Sequence, residues 1–122
     1  MLFRSDPVLH RRAIRLEKRI RRVVIEDRLR TRGERLIELF FHCSERCAVE
    51  EDEDGFALSR DGRTLRLRLP RVAGAEARVY RGSSAPILGW VSRRYDEKEP
   101  CATIAWRARL RGEVVLRSEI IC

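Results

Sequence analysis

Alternation of apolar and polar residues dominates the chain from Gly55 onward. Phe56 and Leu58 alternate with Ala57 and Ser59, Asp61-Gly62 is a hairpin-turn dipeptide, and Leu65, Leu67 and Leu69 alternate with Arg66 and Arg68. A period of two places every second side chain on one face of a strand. Asp-Gly supplies the positive φ angles that a two-residue hairpin needs. The leucine face is expected to be buried and the arginines to point to solvent. Pro70 ends the run. Ala77-Arg78-Val79-Tyr80 reads as another strand, closed by Gly82-Ser83-Ser84. A strand from about Ile87 to Arg93, interrupted by Gly89, leads into a polar loop from Tyr95 to Pro100. Ala102, Ile104, Trp106, Ala108 and Leu110 then alternate with Thr103, Ala105, Arg107 and Arg109. Arg111-Gly112 is expected to turn the chain into a last strand from Val114 to Ile121. Turn signals spaced every ~8–12 residues predict an all-β fold, an antiparallel β-sandwich of about 8–10 short strands.

The first third reads two ways. Leu9, Ala13, Leu16, Ile20, Val23 and Val24 follow helical spacing among arginines, the pattern of a basic amphipathic helix. The same stretch reads as a hairpin, with strands His10 to Glu17 and Ile20 to Leu29 around a turn at Lys18-Arg19. The β-branched cluster Val23-Val24-Ile25 favours strand, and no capping box precedes the segment. Periodicity alone leaves both readings open. Leu36 to Cys43 fits a buried strand. Glu50-Glu51-Asp52-Glu53-Asp54, five acidic residues in a row, is expected to be a solvated loop; it lacks the alternation of a calcium-binding EF-hand loop.

With 122 residues the chain has the length of one compact domain, expected over 1–122. Its 43% hydrophobic content is enough to build a core, which argues against global disorder. No apolar stretch approaches the ~18 residues that span a bilayer, so no membrane insertion is expected. Met1-Leu2-Phe3 runs straight into Arg4, Asp6 and Pro7 without the apolar region of a secretory leader. Twenty-seven basic residues against 19 acidic ones leave a net charge of +8, and all the basic residues but Lys18 and Lys98 are arginine. The charge is segregated. Residues 1–35 carry 12 basic and 5 acidic groups, residues 36–59 carry 1 and 7, and residues 60–122 carry 14 and 7. Such a field attracts a polyanion, either nucleic acid or an acidic polysaccharide, and arginine suits carboxylate, sulfate and phosphate.

Candidate chemistry is sparse. No nucleophile elbow, P-loop, dinucleotide fingerprint or His-Glu-x-x-His motif occurs, and no cofactor is implied. Cys43 and Cys47 form one close pair, while Cys101 and Cys122 lie far off. A structural zinc site wants two close ligand pairs, so no metal is expected. A Cys43–Cys47 disulfide is compatible with the spacing but not demanded by it. His10 and His42, the only histidines, stand 32 positions apart. His42, inside Phe40-Phe41-His42-Cys43, is expected to be a packed, hydrogen-bonded strand residue, and His10 to lie on the surface. Trp106 is in phase with Ile104 and Ala108 and belongs to the core. Trp90, beside Gly89, is read as packed against backbone, with presentation to a ligand as the alternative. Basic charge without interleaved aromatics weakens a nucleic-acid reading.

The order of several short segments is more informative than any one of them. Pro7-Val8-Leu9-His10-Arg11-Arg12 is followed by Val24-Ile25-Glu26-Asp27-Arg28-Leu29 and Leu39-Phe40-Phe41-His42-Cys43. Gly89-Trp90-Val91-Ser92-Arg93-Arg94-Tyr95 then leads to Lys98-Glu99-Pro100 and Thr103-Ile104. This succession resembles the C-terminal part of the heparinase II/III-like polysaccharide lyases. There a "His-Arg-Arg" strand precedes a "Val-x-Asp-x-Leu" strand, a "Phe-His-Phe"-like strand, and "Gly-Trp-x-Ser-x-x-Phe/Tyr" leading to "Lys-x-Pro". The resemblance covers roughly residues 7–121.

The resemblance implies that residues 9–29 form a hairpin, within a β-sandwich that packs against an α/α toroid in complete family members. It implies a parent reaction in which uronic-acid-containing polysaccharides are cleaved by β-elimination. The family's catalytic histidine and tyrosine and its metal site lie in upstream segments, so they map onto no residue of this chain. Family members are commonly exported, but the compartment of this chain stays unassigned. This portion alone is therefore expected to be non-catalytic, a scaffold or a substrate-contacting surface. His10, Arg11, Arg12, Trp90 and Arg93 are the candidate substrate-binding residues, with arginines pairing to uronate carboxylates. The expected partners are an acidic polysaccharide and a toroid domain or separate upstream chain. Exposed edges and an uncovered apolar face would favour self-association. The alternatives are a small basic nucleic-acid-binding module and a basic helix at 9–29 contacting a membrane or partner.

Overall fold

A computed structural model describes residues 8–92 and 97–122. It contains eleven strands and, among the described residues, no helix. The ambiguous first third is a hairpin. β1 (Leu9–Glu17) pairs antiparallel with the start of β2 (Arg22–His42), from Glu17↔Arg22 to Leu9↔Arg30. The turn is closed by the Arg21 amide, which donates to the Lys18 carbonyl at 3.3 Å. Val23-Val24-Ile25 matched helical spacing because both faces are apolar at that point. Val24 lies on the outer face, in register with Arg15 and Glu119, and is buried there.

Two expected boundaries are wrong. The Ile20–Leu29 and Leu36–Cys43 segments belong to one 21-residue strand, β2. Arg111-Gly112 is not a turn: β11 (Ala102–Ile121) runs through it as one 20-residue strand. The two strands pair along their whole length, and the turn signal marks a bulge where the register jumps from Leu110↔Arg35 to Gly112↔Thr31. Thr31 clamps that bulge. Its hydroxyl donates to the Gly33 carbonyl at 2.8 Å and accepts the Gly112 amide at 3.0 Å. A bulge bends a strand without ending it, which a local turn signal cannot distinguish.

The bend makes the sandwich. Ile104 and Ile120 both lie on β11 and would stand about 50 Å apart if the strand were straight, yet both pack around Phe56 and Leu67. Leu29 and Leu39, ten positions apart on β2, share a second cluster with Trp106, Ala108, Leu110 and Leu116. The ribbon of β2 and β11 therefore folds over at the bulge, and its two halves face each other. Beyond the bulge β11 pairs with β5 (Arg63–Arg68), which continues through β4 (Gly55–Arg60) to β3 (Ala48–Glu51). The first half of β11 pairs with β6 (Glu76–Arg81). Two short ribbons complete the fold, β7 (Ser83–Ser84) with β8 (Ile87–Leu88), and β9 (Trp90–Val91) with β10 (Glu99–Pro100).

The Asp61-Gly62 hairpin forms as its dipeptide predicts, with positive φ at both residues. Leu67 is buried between β4 and β11, whereas Leu65, beyond the end of the β11 pairing, is exposed. The acidic run is only partly a loop: Glu50 and Glu51 belong to β3, and Asp52 to Asp54 form the bend into β4. Asp52 accepts the Asp54 and Gly55 amides and the Arg66 guanidinium, so its charge is used at the bend.

Candidate functional site

The β1–β2 turn sets the register, and the register creates a charge cluster that residue order alone does not reveal. Even residues of β1 share a face with odd residues of β2, so His10, Arg12, Ile14 and Leu16 stand beside Leu29, Asp27, Ile25 and Val23. That face is the inner one. Asp27 is therefore a carboxylate on the core side of the sheet, fully buried, with Leu116 opposite it on β11. Its Oδ1 accepts a hydrogen bond from Arg12 Nε at 2.7 Å and lies 2.7 Å from His10 Nε2, while Oδ2 accepts from Arg12 Nη2 at 3.2 Å. Burial opposes ionisation of Asp27, but the bonds from Arg12 and His10 outweigh it and hold the carboxyl below its usual range. Reciprocally, the Arg12 guanidinium is pushed up by its bond to Asp27. His10 and Arg12 are both almost half exposed, so an imidazole and a guanidinium cap a buried anion at the sheet edge.

The outer face of the same strands divides into two zones. Near the turn the charges are paired: Arg22 bridges Glu17 and Glu119, and Arg15 reaches Glu17 and Glu26. Toward the other end of β1, Arg11 lies in register with Arg28, and among the described residues neither has an acidic partner. Like charges directly opposite each other cost stability. Arg30 beside them is bound to Glu113 at 2.6 Å. Leu9, Arg11, Arg28, Arg30, Glu113 and Val115 contribute to a shallow groove of about 610 Å³, which His10 borders from the inner face.

The predicted contact residues thus separate. His10 and Arg11 share that groove, whereas Arg12 is turned to Asp27. Trp90 lies on β9, away from β1, and is half-buried. Its Nε1 donates to the Ser83 carbonyl at 2.9 Å, and Lys98 Nζ sits 4.5 Å over its ring. Gly89 beside it has φ +81°, and a Cβ there would come within 2.6 Å of the Tyr80 carbonyl oxygen. That is close backbone packing. Arg93 lies outside the described residues. His42 is at the far end of β2, on the wall of a different groove, with Nδ1 3.1 Å from the Thr103 hydroxyl and its ring stacked on Phe40. Its side is exposed rather than buried in the core. Two residues escaped sequence reasoning. Asp27 had a signal, a lone carboxylate in phase with Val23, Ile25 and Leu29. Arg28 had none, because its pairing with Arg11 exists only across the hairpin.

The Heparinase II/III-like, C-terminal family model matches residues 2–119. The chain belongs to that family. No curated protein and no solved structure matches it. In this heparinase II/III-like chain the short segments that carry the resemblance are joined in pairs by the fold. His10 and Arg12 of the first segment hold Asp27 of the second. His42 of the third is in register with Thr103 and bonded to it. Trp90 pairs with Pro100 and is capped by Lys98, and the Gly89 carbonyl accepts the Gly82 and Cys101 amides. No helix among the described residues is long and apolar enough to cross a membrane.

Proposed function

We propose that this chain is the sandwich portion of a lyase that cleaves uronic-acid-containing polysaccharides by β-elimination, and that it acts as scaffold and anion-contacting surface rather than as the source of the catalytic base. The observation that carries this reading is the use made of the two histidines. His10 is bonded to buried Asp27 and His42 to Thr103, and they line separate grooves. Proton abstraction needs a base and a partner acid converging on one substrate position. Arg11, with Arg28 across the hairpin, is the surface for uronate carboxylates, because neither guanidinium is neutralised by an acidic neighbour among the described residues. Arg12 and His10 support that surface by fixing the edge strand to β2. Trp90 and Arg93 stay as secondary contacts. A toroid domain, on the same or a separate chain, is the partner that supplies the base.

Retention on immobilised alginate, heparin and duplex DNA across a salt gradient tests this. The chain is expected to leave the uronate polymers at higher salt than DNA, and a combined Arg11→Ala/Arg28→Ala variant to leave them earlier. The ultraviolet absorbance of unsaturated product is expected to stay flat with this chain alone. Tighter binding to DNA would favour a nucleic-acid-binding module, and turnover would show that the chain carries its own base.

A further inference from the structure

Three of the four cysteines meet at the end of β2, where the close pair Cys43 and Cys47 is joined by Cys101 from a distant stretch of sequence. The Cys43 amide donates to the Ala102 carbonyl at 2.9 Å, which sets Cys43 one position from Cys101 across the β2–β11 seam. The chain then reverses: the Cys47 amide donates to the Ser44 carbonyl at 3.1 Å. Arg81 on β6 donates to the Cys47 carbonyl at 2.7 Å and pins that turn. Cys43 and Cys47 consequently line one wall of a mainly apolar groove of about 890 Å³, and the Cys47 thiol donates to the Ala48 carbonyl at 3.7 Å. Cys101 lies behind them, buried, and Cys122 is exposed at the chain's end. All four are free thiols. Among the described residues no group of three or more potential ligands is arranged to hold a metal ion.

We infer that Cys43 and Cys47 form a reversible disulfide that closes the Ser44–Arg46 turn. A disulfide needs the two Cβ atoms to approach with their sulfurs facing, and the pinned turn sets both cysteines on the same wall of one groove. Cys101 is the competitor, but it is fully enclosed, and its backbone amide donates a hydrogen bond to the Gly89 carbonyl. Burial, assisted by the neighbouring Cys47 and Cys101 thiols, pushes the Cys43 thiol up to about 11. Cys43 is therefore the resolving thiol and Cys47 the attacking one, since the thiolate is the nucleophile. Cys47 as thiolate attacks glutathione disulfide, forms a mixed disulfide and releases one glutathione. Cys43 loses its proton to water, attacks the Cys47 sulfur and expels the second glutathione. Two protein thiols become one disulfide, and one glutathione disulfide becomes two glutathiones. The inference is independent of the polysaccharide reading.

The test is peptide mapping of the whole chain after incubation with glutathione disulfide, alkylation of the remaining thiols and trypsin digestion without reduction. Arg46 lies between the two cysteines, so the link is expected to join the peptide covering 36–46 to that covering 47–60. It should persist in Cys101→Ser and Cys122→Ser, vanish on addition of dithiothreitol, and be replaced in Cys43→Ser by a glutathione adduct on Cys47. Linkage of Cys43 to Cys101, or glutathione adducts alone in the unsubstituted chain, would overturn it.

Discussion

Ile14 on β1 and Trp106 on β11 occupy equivalent places in their strands. Each is an apolar residue on the inner face with an apolar residue two positions further along, Leu16 and Ala108, yet Ile14 is 65% exposed and Trp106 only 2%. The difference lies in what stands beside and above each strand. β11 has β2 on one side and β6 or β5 on the other, and the folded-over half of the sheet covers it. β1 is the edge of the sheet, and among the described residues no cluster of core residues includes its side chains. Alternation thus defines faces, while burial depends on a neighbour that the alternation does not specify. Asp27 sits where the two regimes meet, one strand in from the edge, and its charge is sustained because Arg12 and His10 reach over it from the edge strand.

Three variants would break or sharpen this contrast. The largest effect is expected at Trp106, whose indole is enclosed in the main cluster and donates to the Pro70 carbonyl. Trp106→Ala should lower unfolding free energy by about 3–5 kcal/mol, read from urea denaturation. Next is Asp27→Asn, which keeps the shape but removes the charge that Arg12 and His10 share. It should cost about 2 kcal/mol at neutral pH, in the range for hydrogen bonds to charged groups. The sign of its pH dependence follows from the lowered carboxyl. The contribution is present above the ordinary aspartate value of about 3.9 and is lost as pH falls through the lower native value. Stability of the unsubstituted chain should therefore fall faster on acidification than that of Asp27→Asn, and parallel acid slopes would show that the carboxylate is not held by its partners. The smallest effect is expected on β1, where Ile14→Ser with Leu16→Ser should change stability by less than about 1 kcal/mol in total. The same pair should reduce self-association in size-exclusion chromatography, because it removes the apolar surface that β1 exposes.

Strand character was legible wherever one face is apolar and the other polar: β4, β5, β6 and both halves of β11 stand where the period of two predicts them. The first third was not decided by periodicity, since Val24 is buried on the outer face and breaks the alternation. Of the candidate site, Arg11 was found on charge alone, but Arg28 and Asp27 depend on the hairpin register. Arg12 looked like a solvated partner for an external anion, and its actual partner is Asp27, fifteen positions along the hairpin on the neighbouring strand.

The amino-acid pattern by itself determined the strand class, the Asp61-Gly62 hairpin, the phase of the Trp106 face, the basic field and the order of segments that marks the family. These are local properties, set by side-chain period, turn chemistry and charge. Only the tertiary structure decided that Arg111-Gly112 bends a continuous strand, that Asp27 is buried beneath Arg12 and His10, and that Cys43, Cys47 and Cys101 meet. Those outcomes depend on which strand lies beside which and in what register, and register is a relation between distant segments that no single segment encodes.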